Sequence, residues 1–517
     1  MLFNSYEFIF AFLPVCLTLY FIIGAKLPKL AVPFLVIASL IFYSYWDIRY
    51  LPLLLLSIIS NYLFGLLIEK YKSKMYLILG ICFNFALLIY FKYTFFIAAN
   101  FNELFNTAFK IPNIILPLGI SFFTFTQTAF LVDAYRGETK QYNFSTYCLF
   151  VTIFPHLIAG PILHHREMVP QFLNPKNLTI NWNNIWLGTV IFIVGLAKKV
   201  LIADHLALFA NPIFSLAGSG AEPAFIESWI ASLSYSMQLY FDFSGYSEMA
   251  IGLALLFNFK IPVNFFSPYK AKNIIEFWRR WHISLSNYLR DYLYIPLGGN
   301  RRGESRRIIN LLTTMLLGGL WHGAGWNFVV WGGLHGAYLT INHMWQSLWH
   351  KKFAPQPKWN FYKSTASILS HMLTFVSVVI AWVFFRAENI ETAMRIVKGM
   401  FGINGISVRQ DIAAKLETIN WLHLSPDGFL PLSSIPLGKV TLSLTVALAI
   451  AFCLPNMFEL LSKYNPALGL GTYSGIKVNE KYSKLLLHPI SAVILGMLAG
   501  ISILGLSKVS EFLYFQF

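Results

Sequence analysis

Charge is what this sequence lacks most. Asp, Glu, Lys and Arg make up 12% of its 517 residues, about half the share a soluble domain carries. So little charge cannot cover a water-facing surface on a chain of this length, so lipid must solvate much of it. Cysteine is equally scarce. Cys16, Cys82, Cys148 and Cys453 lie far apart, in or beside apolar segments, which excludes a disulfide framework and zinc-ligand spacing. They read as inert core thiols, and no metal site is expected. There is no Walker A loop, no G-x-S-x-G elbow and no dinucleotide fingerprint, so no bound cofactor is expected either. Low-complexity tracts and inverted repeats of the transporter kind are also missing. No basic run interleaved with aromatics offers a groove for nucleic acid, despite a net charge of +16. Basic residues collect in the cytoplasmic loops of membrane proteins, and that accounts for the excess. The N-terminus has neither the positive start nor the small-residue cleavage site of a signal peptide.

Long apolar runs are abundant. The chain is 56% hydrophobic with a mean hydropathy of +0.59, and its 26 Tyr and 14 Trp suit repeated passage through membrane interfaces. Runs near 8–24, 31–46, 50–68, 75–95, 114–132, 184–215, 225–257, 308–321, 325–345, 365–385, 439–456 and 487–507 are each candidate spans. A shorter one at 146–162 holds Pro155, Gly160 and Pro161 and reads as broken or re-entrant, tolerable only where protein covers the backbone. The expected fold is an all-α polytopic membrane protein of about eleven to thirteen segments at ~20 residues per span. It reads as one domain over 1–517, with N-terminal helices at 1–145, a core at 146–385 and C-terminal helices at 386–517. Basic excess in the loops with Lys26 and Lys29, and with Lys70, Lys72 and Lys74, places those loops in the cytoplasm and the N-terminus outside. Residues 265–307 carry nine basic residues against Glu276, Asp291 and Glu304 and are expected at the cytoplasmic face. Residues 403–438, polar and nearly neutral, are expected on the other side. The side of the C-terminus stays open.

Three stretches carry candidate chemistry. In WRRWHISLSNYLR (278–290), Trp278, Trp281, His282, Leu285 and Leu289 share one helical face, and Arg279, Arg280, Ser286, Asn287 and Arg290 share the other. This predicts an amphipathic helix at the interface, with His282 on its apolar side. From spacing alone a buried, hydrogen-bonded histidine is favoured there over a functional one. In 310–338, His322 follows the apolar stretch 311–320, whose only polar side chains are Thr313 and Thr314, with Gly318, Gly319, Gly323 and Gly325 around it. A titratable group at membrane depth is a functional candidate, and imidazole suits proton transfer near neutral pH. His322 is the strongest candidate. His335, thirteen residues on, would face about 220° away on a continuing helix and is expected to pack. In QLYFDFSGYSE (238–248), Asp242 and Glu248 are accompanied by Tyr240 and Ser244. Their carboxylates need partners, either in a clamp between helices or on 265–307, or they line a substrate path. His156, His164 and His165 are expected as segment or interfacial loop residues.

Together, QLYFDFSGYSEMAIGLALLFNF, EFWRRWHISLSNYLRDYLYIPLGGNR and TMLLGGLWHGAGWNFVVWGGLHG closely resemble the membrane-bound O-acyltransferase superfamily, in its bacterial polysaccharide branch. MLFNSYEFIFAFLP, PLGISFFTFTQ, FPHLIAGPI and WVFFRAENI fit the same pattern, so the resemblance spans nearly the whole chain. It departs from the alginate-acetylating members at His156, where they carry glutamine, so the glycan stays open. The resemblance implies a ring of tilted helices around a central tunnel, with His322 (from LWHG) as the essential residue and His282 (from WRRWH) as the second. Asp242, Tyr240, Ser244, Trp321 and Asn287 are then expected along the tunnel, and Arg279, Arg280 and Arg290 on a basic face that attracts the donor. The donor implied is acetyl-CoA or an acyl carrier protein. The partners implied are a polysaccharide acceptor, membrane lipid and an exported SGNH-type acetyltransferase or esterase.

The resulting expectation is a multi-pass acyltransferase of the bacterial cytoplasmic (inner) membrane that O-acetylates an exported or cell-wall polysaccharide. The rivals are a lipid or protein O-acyltransferase of the same superfamily, and a transporter or flippase whose histidines line a path without covalent chemistry.

Overall fold

The computed structural model describes residues 1–110, 114–139, 142–352, 360–407, 424–425, 437–470, 489–506 and 513. It is helical nearly throughout. Among the described residues, five helical stretches are long and apolar enough to cross a membrane: Glu7–Lys26, Ile48–Tyr71, Lys74–Phe105, Trp182–Gly218 and Thr365–Arg386. Pro28–Ser44, Leu437–Cys453 and Pro489–Gly505 are shorter apolar helices. Their outer faces keep large apolar side chains exposed, among them Leu63, Leu373, Leu442 and Leu504, the last at 78%. Water would not tolerate that surface, but lipid does.

The N-terminal helices are α1 (Leu13–Lys26), α2 (Ala31–Ser44), α3 (Leu51–Tyr71), α4 (Lys74–Leu88), α5 (Thr94–Phe105) and α6 (Ile120–Arg136). The run expected at 75–95 extends to Phe105, because a π-turn at Ile89–Tyr93 joins α4 to α5 without a break. The broken segment is observed as α7 (Phe144–Thr152) and α8 (Phe154–Leu157), and every residue from Thr146 to His165 is buried. Two elements follow: α9 (His165–Phe172) and α10 (Trp182–Ala197), the latter capped by the Asn181 side chain on the amides of Asn183 and Asn184. Helix α11 (Asp204–Gly218) continues α10 through a π-turn at Lys198–Ala203.

The centre of the molecule is α12 (Phe225–Leu256), 32 residues long and buried over nearly its whole length. It packs on α10 through two glycine pairs. A Cβ on Gly188 would lie 2.6 Å from the Gly252 carbonyl, and one on Gly195 would lie 2.5 Å from the Gly245 carbonyl. Only glycine lets these backbones meet, which is the association mode that works without a hydrophobic drive between helices.

The segment 278–290 is not one interfacial helix. It is split into α13 (Ile274–Trp278) and α14 (Ile283–Leu289), and Trp278, Trp281, Ser284, Leu285 and Tyr288 are buried. The break has a tertiary cause. The Ile283 amide donates to the Asn264 carbonyl at 2.9 Å, and the Phe266 amide donates to the Arg280 carbonyl at 3.0 Å. Pairing with the 264–266 strand-like segment outweighs the helical period. Helices α15 (Glu304–His322) and α16 (Trp326–Lys352) form an antiparallel hairpin in which a Cβ on Gly319 or Gly332 would strike the opposing backbone at 2.3 Å. The remainder is α17 (Asn360–Arg386), α18 (Ile390–Met400), a two-residue parallel pair of Ile406–Ser407 with Leu424–Ser425, α19 (Leu437–Cys453), α20 (Met457–Leu460) and α21 (Pro489–Gly505). Most of the 403–438 stretch expected on the far side lies outside the described residues.

Candidate active site

His322 is the last residue of α15, where helix carbonyls lose their intrahelical partners. Two neighbours on the π-turn after α4 supply them. Lys92 Nζ donates to the carbonyls of Trp321 (2.6 Å) and His322 (3.0 Å), and the Tyr93 hydroxyl donates to that of Leu320 (2.7 Å). The imidazole is 7% exposed and held edge-on by Trp321, Trp331 and Phe385, at 4.9, 5.1 and 5.1 Å between ring centres. Trp321 in turn stacks on Phe125 at 4.8 Å. His322, Trp321, Lys92 and Ser121 line one cavity of about 290 Å³, with Trp46 and the 115–120 segment as its other wall. Trp321 Nε1 and Trp331 Nε1, both buried here, have no hydrogen-bond partner among the described residues. A larger groove of about 1140 Å³ between α16 and α17 touches neither His282 nor His322.

His282 is fully buried and sits at the N-cap of α14 with φ +40°, the left-handed region. A non-glycine residue pays roughly 1–2 kcal/mol there, and such strain marks functional positions. Its partner fixes its tautomer. Asn264 Oδ1 lies 3.2 Å from the Ser284 amide, 2.9 Å from Ser284 Oγ and 3.1 Å from His282 Nδ1. An amide N–H can only donate, so the atom it meets is the oxygen of Asn264. Nδ1 of His282 is therefore the protonated nitrogen, and in the neutral ring Nε2 carries the lone pair. Phe243 and Phe265 pack on the ring.

The profile of the membrane-bound O-acyltransferase family matches residues 40–382, a span that contains both histidines, Lys92 and Asn264. The chain belongs to this family. The acyltransferase is 45% identical to the peptidoglycan O-acetyltransferase of Helicobacter pylori, over 89% of its own length and 90% of the relative's. It is 42% identical to a probable alginate O-acetylase of Pseudomonas aeruginosa, over 78% of its length and 75% of the relative's. The teichoic acid D-alanyltransferase of Bacillus subtilis is 28% identical over 53% of the chain and 70% of the relative.

Within this multi-pass acyltransferase the other sequence-derived candidates fall into separate places. Trp321 lines the His322 cavity. Tyr240 is buried in an aromatic cluster with Tyr269, Phe265 and Trp281. Ser244 is buried on the same helix, and its Oγ has no hydrogen-bond partner among the described residues. Asp242 pairs with Lys199 at 2.5 Å, Lys199 also reaches Asp204 at 2.7 Å, and Glu248 pairs with Lys198. Asp242 and Glu248 thus bind the π-turn after α10, not the basic 265–307 segment. Asn287 is half-buried. Arg279 is exposed, Arg280 is held by Glu276 and the Phe266 carbonyl, and Arg290 pairs with the adjacent Asp291.

His335 does not continue the helix of His322, because α15 ends and α16 begins between them. It accepts from Trp278 Nε1 at 3.3 Å, and Trp331 packs against both imidazoles. His164 ends the loop at 161–164 and His165 opens α9, and both are buried. His165 binds Asp133 (3.1 Å) and Tyr142 (3.0 Å), and Tyr292 bridges Asp133 to His164. All of these groups except Tyr142 and Tyr292 are buried, so desolvation forces them to pair. Lys92 and Asn264 are absent from the sequence-derived set. Lys92 carried a signal, a lone cation within the apolar run 75–95. Asn264 carried none, since its role depends on a contact to residues eighteen and twenty positions away.

Proposed function

We propose that this acyltransferase takes acetyl groups from a cytoplasmic donor, acetyl-CoA or an acyl carrier protein, and delivers them across the bacterial inner membrane for O-acetylation of a cell-wall or exported polysaccharide. The observation that carries the reading is the placement of His322 on a cavity at one end of α15, whose other end bears Arg306 and Arg307. Fifteen to sixteen residues of helix separate them, ~23 Å at 1.5 Å per residue, most of the ~30 Å hydrocarbon thickness of a bilayer. Helix α6 runs the same course, from Ser121 in the cavity to Arg136 near the Lys72 loop. With basic loops inside, the cavity opens toward the outer face and Arg279, Arg280 and Arg290 face the donor.

His322 acts as the base that takes the proton of the attacking hydroxyl. His282, with Nε2 as acceptor, positions the donor end of the tunnel. Asp242, Tyr240, Ser244, Trp321 and Asn287 are assigned to its walls. An exported SGNH-type partner completes delivery to the polymer. The high identity to a peptidoglycan O-acetyltransferase over nearly both lengths favours peptidoglycan as the acceptor, with alginate-type polymers as the second reading. Deleting the gene and measuring ester-linked acetate on purified muropeptides and on exported polysaccharide decides between them. Loss from muropeptides alone is expected. Loss from the exported polymer alone selects the second reading, and loss from neither refutes both.

A further inference from the structure

Lys92 is a charged side chain inside an otherwise apolar stretch, and its ammonium ends in the His322 cavity. It has three oxygens around it: the Trp321 carbonyl at 2.6 Å, the His322 carbonyl at 3.0 Å and Ser121 Oγ at 3.4 Å. Two carbonyl acceptors and a hydroxyl match three N–H donors, the inventory of a protonated lysine. The first two bonds are short. The third is beyond the usual range for N–H···O, so that donor is held loosely, and it is the one that a ligand in the cavity can claim.

We propose that Lys92 is a further catalytic residue of this enzyme, and that its third N–H binds the carbonyl oxygen of the acyl group and the oxyanion that forms from it. This rests on the acyl-transfer reading of the His322 cavity. The acceptor hydroxyl oxygen bonds to the acyl carbon, its proton passes to His322, and the carbonyl π pair moves onto oxygen, where Lys92 replaces the Ser121 contact. The pair then returns, the bond to the leaving group breaks, and the departing thiolate or alkoxide takes the proton from His322. No other reactant is required. The charge needs no rearrangement to act, since two carbonyls of α15 already fix it, and such preorganisation in a water-poor site makes one donor effective.

Capping and charge can be separated. Lys92→Gln keeps two N–H groups for the Trp321 and His322 carbonyls and removes the charge. Tyr93→Phe removes one cap and keeps the charge. Cells expressing each variant at matched membrane levels are pulsed with radiolabelled acetate, the rate of ester-linked acetate formation on glycan is followed, and purified proteins are melted in detergent. Lys92→Gln is expected to melt like wild type and to lose about 100-fold in rate, while Tyr93→Phe stays within about threefold. A Lys92→Gln rate within threefold of wild type overturns the proposal, and so does a Tyr93→Phe loss as deep as that of Lys92→Gln. If Lys92→Gln melts early, Lys92→Arg decides. A folded Arg variant retaining at least tenfold more rate than the Gln variant supports the charge, and equal loss overturns it. His322→Ala in the same assay keeps the two readings apart. An active His322→Ala refutes the site itself, whereas an inactive one beside an active Lys92→Gln refutes only the role of Lys92.

Discussion

His282 and His322 are both imidazoles in apolar surroundings, but the structure holds them by different means. His322 is placed through the backbone, where Lys92 binds the last two carbonyls of α15. His282 is placed through its ring, by Asn264. Removing the Asn264 carbonyl frees the His282 tautomer and leaves the Ser284 amide without an acceptor. Asn264→Leu is expected to lower acetyl transfer about tenfold or more, the worth of a buried hydrogen bond at about 1–3 kcal/mol. Asn264→Asp, which keeps the acceptor, should retain most of it. Equal activity of the Leu variant and wild type would show that the tautomer is irrelevant. His322 stood out in the sequence because titratable groups are rare in apolar spans, whereas His282 stood out only through the family resemblance, since its spacing alone favoured a buried, hydrogen-bonded histidine. Asn264 did not, because a side chain's partner across eighteen residues is a property of the fold.

At the scale of elements, glycine decides which helices touch. The α10–α12 seam depends on Gly188, Gly195, Gly245 and Gly252, where the opposing carbonyls stand 2.5–2.7 Å from any added Cβ. Gly195→Val should destabilise the protein by about 1–3 kcal/mol through overpacking, read as an earlier melt in detergent. Gly496→Ala, with nothing within 4 Å of its Cβ, is expected to be neutral or slightly stabilising. If both behave alike, the seam is not what sets the helix spacing. The helices themselves were legible from apolar runs. The 278–290 period was not a safe guide, because long-range backbone pairing to 264–266 broke the helix it announced. The same break puts His282 in a left-handed conformation inside the protein instead of on an interfacial face.

Across the whole molecule, scarce charge is concentrated where it is paired. Lys199 is 2% exposed and meets Asp242, also 2% exposed, at the central helix. Lys199→Met should destabilise by about 3–5 kcal/mol, because it leaves Asp242 buried without its cation, and adding Asp242→Leu should recover most of that loss. A double variant no more stable than the single one would assign Lys199 another task. Arg136 closes α6 and Arg306 and Arg307 open α15, and the His322 cavity lies at the other end of both helices. That separation is what supports the proposal that acyl groups are delivered across the membrane. The most direct test is the ester-linked acetate content of surface and periplasmic glycans in cells carrying wild type or His322→Ala at matched membrane levels. Loss of acetate in the variant is the predicted result. Unchanged acetate, with the variant folded and the acceptor present, would contradict it and remove His322 from the chemistry.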